Sequence, residues 1–217
     1  MSHIVLLGDS IFDNAAYVAG GPDVVRQVRE LLPNGCKASL LAVDGAVTSG
    51  VASQLRRMPV DPTHLVLSVG GNDALGTSWL LGQAAQTVGE GVAVLEQAQR
   101  RFAADYDAML DQVQALGLPT AVCTIYDTPA SAPNHRIIRT GLAIFNDVIT
   151  RAAFARGLPL LDLRLICNED ADYANPIEPS VQGGAKMARA ILAFAQGQRQ
   201  DRSWVIAGRA SDPSFRR

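Results

Sequence analysis

Five times along this chain a short apolar run closes on glycine, aspartate or proline-bounded polar residues and gives way to a segment with helical spacing. Ile4-Val5-Leu6-Leu7 runs into Gly8-Asp9-Ser10, and Ala38 to Val43 into Asp44-Gly45. His64 to Val69 runs into Gly70-Gly71-Asn72-Asp73, and two further runs span Thr120 to Tyr126 and Leu160 to Leu163. Uninterrupted apolar runs of this length mark strands covered on both faces, as in parallel sheets, rather than strands with one wet face. The segments between them carry apolar residues three or four apart. Asp23 to Leu32, Thr48 to Met58 and about Gly183 to Ala195 are predicted helices, as is a run through Ile138, Leu142, Phe145 and Ile149. A longer one passes from Val88 through Phe102, Tyr106 and Met109 to Leu116, and Gly89 and Gly91 predict a kink or division near its start. Gly117-Leu118-Pro119 and Gly157-Leu158-Pro159 repeat one helix-stop signal, each just before a strand. The alternation dictates a three-layer α/β/α sandwich on a five-stranded parallel sheet with right-handed crossovers. Ligands of such sheets sit beyond the carboxyl ends of the strands, so the polar turns there are where chemistry is expected.

The apolar fraction of 48% and charged fraction of 18% fit a globular chain. The net charge of −2 gives no footprint for nucleic acid or an anionic membrane surface. The first apolar run is too short for a signal-peptide core, and none is long enough to span a bilayer. Cys36, Cys123 and Cys167 are odd in number and lack Cys-x-x-Cys spacing, which points to a reducing, cytoplasmic setting. Cys36 and Cys123 fall in predicted strands and read as core residues. Residues 1–197 are expected to form the domain. The tail, 198–217, has five arginines and one apolar anchor, Trp204-Val205-Ile206, and is expected to be an extended arm that offers a contact for a homo-oligomer.

If the sheet is parallel, the turns after the first three strands lie side by side. A Ser10 hydroxyl, a Gly45 backbone N–H and an Asn72 carboxamide then face one point, a nucleophile with oxyanion donors, to which the Ser10 N–H adds another. Gly8-Asp9-Ser10, Gly45 and Gly71-Asn72-Asp73 together resemble the first three blocks of the SGNH, or GDSL, hydrolases, and the resemblance spans nearly the whole chain. It implies a flavodoxin-like α/β/α domain and ester hydrolysis, with Ser10 as nucleophile and Gly45 and Asn72 as oxyanion donors. There is no Gly-x-Ser-x-Gly elbow of the other large serine-hydrolase fold.

The fourth block departs from the family. Where the resemblance calls for an Asp and a His three residues apart, this chain has Asn175 and Glu178, in Asn175-Pro176-Ile177-Glu178-Pro179-Ser180. A glutamate with its ordinary pKa of ~4.3 is a weaker base than an imidazole at ~6.5, unless burial or neighbouring carboxylates raise it. Glu178, oriented by Asn175, is therefore expected as the stand-in base, acting on a small-molecule ester with a short acyl or acetyl group. His135, in the loop expected after the fourth strand, is the other candidate base. The alternative is a degenerate member that binds an ester, acyl or carbohydrate ligand without turnover. No metal or cofactor is expected. Asn168-x-Asp170-x-Asp172 imitates a calcium loop but has Tyr173 and Pro179 at positions that need Gly and Glu, and Gly89-Glu90-Gly91 lacks the third glycine of a dinucleotide turn.

Overall fold

The computed structural model of the chain describes residues 1–197. Strands β1 (His3–Gly8), β2 (Lys37–Leu40), β3 (His64–Ser68), β4 (Thr120–Cys123) and β5 (Leu160–Leu161) form one parallel sheet in the order β2-β1-β3-β4-β5. The chain moves outward from β1 to β2 and then crosses to β3 on the other side. The crevice expected at such a topological switch point therefore opens between β1 and β3. Around the sheet stand helices α1 (Val24–Leu31), α2 (Val51–Leu55), α3 (Gly71–Gly76), α4 (Val88–Gln114), α5 (His135–Ala155), α6 (Leu163–Ile166) and α7 (Val181–Ala195).

The unbroken apolar runs follow from two cores, one on each face of the sheet. Ile4 and Leu6 join Val66, Ala121 and Cys123 under α1 and α7, while Val5 and Leu7 join Leu65, Leu67 and Val122 under α4 and α5. The side chains of Ile4, Val5, Leu6 and Leu7 are all fully buried, so none of these four positions of β1 has a wet face for a polar residue.

Several boundaries differ from the periodicity. The long helix is a single one of 27 residues. Gly89 and Gly91 fall in its first turn, where the Thr87 hydroxyl caps Glu90 N–H at 3.1 Å, and the buried Phe102, Tyr106, Leu110 and Val113 fix the remainder. β2 and β4 are shorter than expected because Leu41 and Ala42 both turn their N–H groups onto Leu6 O, and residues 124–126 leave the sheet to line the site. The expected helix from Thr48 is a 3₁₀ turn, Thr48–Gly50, followed by α2, and β5 yields to α6 at Leu163. Cys36 precedes β2 rather than lying in a strand, whereas Cys123 and Cys167 are buried. No helix among the described residues is long and apolar enough to cross a membrane. The expected arm, 198–217, and its oligomer contact lie outside the described residues.

Candidate active site

The turn after β1 depends on Gly8, which has φ +126°. A Cβ there would lie 1.7 Å from the Ser68 carbonyl oxygen, so only glycine lets β1 run this close to β3. The buried Gln54 side chain grips the same residue from α2, its Oε1 accepting from Gly8 N at 2.8 Å and its Nε2 donating to Gly8 O at 2.7 Å. Asp9 N donates to Ser68 O at 3.0 Å and Val43 N to Gly8 O at 3.1 Å, which ties the ends of β1, β2 and β3 together. Ser10 follows, 5% exposed on the wall of a cleft.

Hydrogen bonds also join the next two turns. Asn72, in the first turn of α3, donates through Nδ2 to Ala46 O at 2.9 Å, beside Gly45, and keeps a second amide N–H. The Asp73 carboxylate accepts from Thr48 N at 3.0 Å. Gly45 is exposed with φ +76°, a conformation that suits a residue without a side chain. Among the described residues, neither the Gly45 N–H nor the Ser10 N–H donates to a backbone acceptor.

The fourth block is a tight hairpin. Tyr173 and Pro179 bridge in antiparallel fashion, and Ala174 N donates to Glu178 O at 2.9 Å. Two side chains from distant segments pin it. Tyr126, just past β4, donates its hydroxyl to Ile177 O, and buried Asn14 donates to Pro179 O at 3.2 Å while accepting from Val24 N at 3.0 Å. Glu178 is thereby held at 6% exposure, with its carboxylate within the influence of the Ser10 hydroxyl. Burial raises its pKa above the ordinary 4.5, the Ser10 hydroxyl lowers it, and the charge of Asp44 raises it, with a net rise. Glu178 Oε2 is buried without a hydrogen-bond partner.

Asn175 acts on Glu178 through the backbone. Its Oδ1 accepts from Ile177 N at 2.8 Å and Glu178 N at 2.9 Å, so it orders the backbone under Glu178, as a short polar side chain does in an Asx turn. The expectation that needs correction concerns His135, which is not in a loop but is the first residue of α5.

Asp9 is a site residue that the sequence motif contained without revealing its state. Completely buried, it is pushed up to about 8 by desolvation, opposed by the Ile11 N–H that its Oδ1 accepts, with the charges of Glu178 and Asp73 adding to the rise. Gln54, Asn14 and Tyr126 were also missed. Their one signal was a polar atom within or beside otherwise apolar segments. The acidic stretch after α6 is accounted for structurally: Asp170 accepts from Ala130 N at 2.8 Å, and buried Asp172 pairs with Lys186 at 2.7 Å. Among the described residues no group of three His, Cys, Asp or Glu side chains could hold a metal ion.

From Ser10 the cleft, about 310 Å³ in volume, runs between the α3 segment and helices α4 and α5. Ile11, Val69, Leu81, Leu95, Leu142 and Phe145 are among the apolar side chains along it, so its surface suits a hydrocarbon chain.

The sequence profile of the GDSL-like lipase/acylhydrolase family matches residues 6–185. No curated protein matches the chain significantly. Among solved structures, an extracellular lipase from Streptomyces rimosus superposes with TM-score 0.67 at 17% identity, covering 90% of this chain and 100% of that one. A phospholipase A1 from Streptomyces albidoflavus NA297 gives 0.66 at 18% identity, over 88% and 98% of the two chains. An acetyl xylan esterase from Geobacillus stearothermophilus gives 0.67 at 18% identity, over 93% and 97%. At these identities the likeness is one of fold.

Proposed function

Because the chain belongs to the GDSL-like lipase/acylhydrolase family, we propose that it is a serine hydrolase of carboxylic esters in which Glu178 replaces the usual imidazole. The observation that carries this reading is the buried Glu178 carboxylate, on whose proton affinity the Ser10 hydroxyl acts. Ser10 Oγ attacks the ester carbonyl carbon as its proton passes to Glu178, and the oxyanion takes the N–H groups of Ser10 and Gly45 and the free amide N–H of Asn72. The bond to the alcohol oxygen breaks as Glu178 returns the proton to it. Water then repeats the sequence on the acyl-Ser10 ester. Burial brings Glu178 closer to the pKa that both proton transfers need.

The acyl group lies in the cleft. At about 30 Å³ per carbon, close to the share of a liquid water molecule, 310 Å³ holds a chain on the order of ten carbons, well beyond the short or acetyl group that the sequence led us to expect. A second reading, a binding protein without turnover, has one observation on its side: no imidazole among the described residues stands in for the missing one. The two readings separate on p-nitrophenyl octanoate with wild type and Ser10→Ala, alongside fluorophosphonate labelling. Ser10-dependent turnover and a Ser10 adduct are expected; neither turnover nor labelling favours the binding protein.

A further inference from the structure

Residues 75–95 run from the end of α3 through the 3₁₀ turn Ser78–Gly82 into the first turns of α4, and none of them is buried. These 21 residues carry one charged side chain, Glu90, against about four at the chain's average of 18%. Glu90 itself turns back on the segment, accepting from Gln86 N at 2.7 Å. Leu75, Trp79, Leu81, Val88 and Val92 are all left exposed, Trp79 at 64% and Val88 at 86%. Long exposed stretches of a soluble protein are ordinarily rich in charge, and one that is apolar and poor in charge marks a surface that something else covers.

This collar is continuous with the acyl cleft. Leu75 and Leu81 are each nearly half exposed and also line the cleft, as does Ile177 of the fourth-block hairpin. Leu95 lines it too, and Val92 and Val88, three and seven residues earlier on α4, carry the same stripe outward along the helix. A protein seated on the collar would close the mouth through which substrate enters, whereas a lipid surface delivers substrate through it. Each methylene of an acyl chain that crosses water on leaving an aggregate costs free energy, and a collar pressed into the aggregate removes that crossing. The charge of the surface follows from the same residues. With no Lys or Arg in 75–95, the segment lacks the basic side chains that hold a protein on anionic lipid and suits a surface without net charge. Trp79, an apolar ring with one N–H donor, is the residue type that settles at such a boundary.

We propose that residues 75–95 dock the protein on a zwitterionic lipid surface of no net charge, with Trp79, Val88 and Val92 inserted and the mouth of the cleft opening onto the surface. Substrates are then esters held in that surface, whose acyl chains pass along Leu75 and Leu81 into the cleft. This inference rests on the hydrolase reading for what the docked protein does next, but not for docking itself.

The chain has two tryptophans, Trp79 and Trp204, so in Ser10→Ala with Trp204→Phe the emission reports Trp79 alone. On titration with phosphatidylcholine vesicles that emission is expected to move to shorter wavelength and the protein to cosediment with the vesicles, with little effect of added salt and no gain from phosphatidylserine. Trp79→Ser and Val92→Ser in Ser10→Ala, each checked for folding by circular dichroism, are expected to weaken cosedimentation by on the order of tenfold or more, the effect of withholding one large side chain from an apolar medium. In otherwise wild-type protein the same two substitutions are expected to leave kcat/KM for dissolved p-nitrophenyl butyrate unchanged and to slow hydrolysis of p-nitrophenyl octanoate carried in the vesicles by a similar factor. Vesicle binding by Ser10→Ala supports the collar even if wild type hydrolyses neither ester, a result that sinks the hydrolase reading alone. Ser10-dependent turnover without cosedimentation or an emission shift overturns the collar alone. So do binding that requires anionic lipid, undiminished hydrolysis of the vesicle-borne ester in both variants, and a dimer in which Trp79 is shielded from acrylamide before any lipid is added.

Discussion

Replacing Asp9 with asparagine removes a carboxyl from a buried position beside Ser10 while keeping an Oδ1 acceptor for Ile11 N–H. In the unfolded chain Asp9 ionises with a pKa near 3.8, and in the folded protein at about 8. Between these values the native state binds the extra proton, so stability falls as pH rises through that window. Well below pH 3.8 both states are protonated and the substitution changes little. At pH 7 the burden is about three units at ~1.36 kcal/mol each, about 4 kcal/mol, and it levels off near 6 kcal/mol above pH 8. Asp9→Asn is therefore expected to stabilise the protein by an amount that is small at pH 4, grows to several kcal/mol at pH 7 and is flat beyond pH 8. Urea unfolding at pH 4, 5.5, 7 and 8.5 measures it. A corollary concerns activity. Above pH 8 an ionised Asp9 places another negative charge beside Glu178 and the oxyanion, so wild-type turnover declines there and that of Asp9→Asn does not. A pH-independent stability difference, or destabilisation throughout, refutes the reasoning.

Glu178→Gln keeps shape and removes the base, and a loss of ~10²–10⁴ in kcat is expected; less than tenfold in p-nitrophenyl ester kinetics means that another group takes the proton. Because burial raises the Glu178 pKa, and the ionised form is the base, wild-type activity should rise with pH across a limb lying above the ordinary carboxylate range, as a pH–rate profile reads. Gly141 lines the cleft from within α5 with open space where a Cβ would stand. Gly141→Leu should fill that space, cutting octanoate kcat/KM at least tenfold while sparing acetate, as an acyl-length series shows. The double change Asn175→Asp with Glu178→His restores an imidazole and keeps the oxygen acceptors under the hairpin, and it is expected to raise turnover at pH 7; unchanged or lost activity argues against position 178 as the base.

Much of the fold was legible because burial on both faces of a parallel sheet writes itself as uninterrupted apolar runs. β1 and β3 stand where those runs predict. The strand ends were harder, since residues 41–43 and 125–126 continue the apolar runs, yet Leu41 and Ala42 share the single acceptor Leu6 O and residues 124–126 line the cleft. The polar turns could be placed side by side from the sheet alone. What escaped were the contacts set by tertiary packing: the grip of Gln54 on Gly8 and the Tyr126 and Asn14 ties to the hairpin. Local sequence carries no record of a partner 46 to 165 residues away. The charge state of Asp9 was hidden for the same reason, because desolvation is a property of the folded interior.

The pairing of Ser10 with Glu178 is tested most directly by the rate at which a fluorophosphonate phosphonylates Ser10, followed by intact-protein mass and peptide mapping across pH 4–8. Wild type should acquire one adduct, on Ser10, at a rate that climbs as Glu178 ionises, and Glu178→Gln should react at least a hundredfold more slowly with no such dependence. An equal rate in both proteins, or an adduct at any residue other than Ser10, contradicts the account.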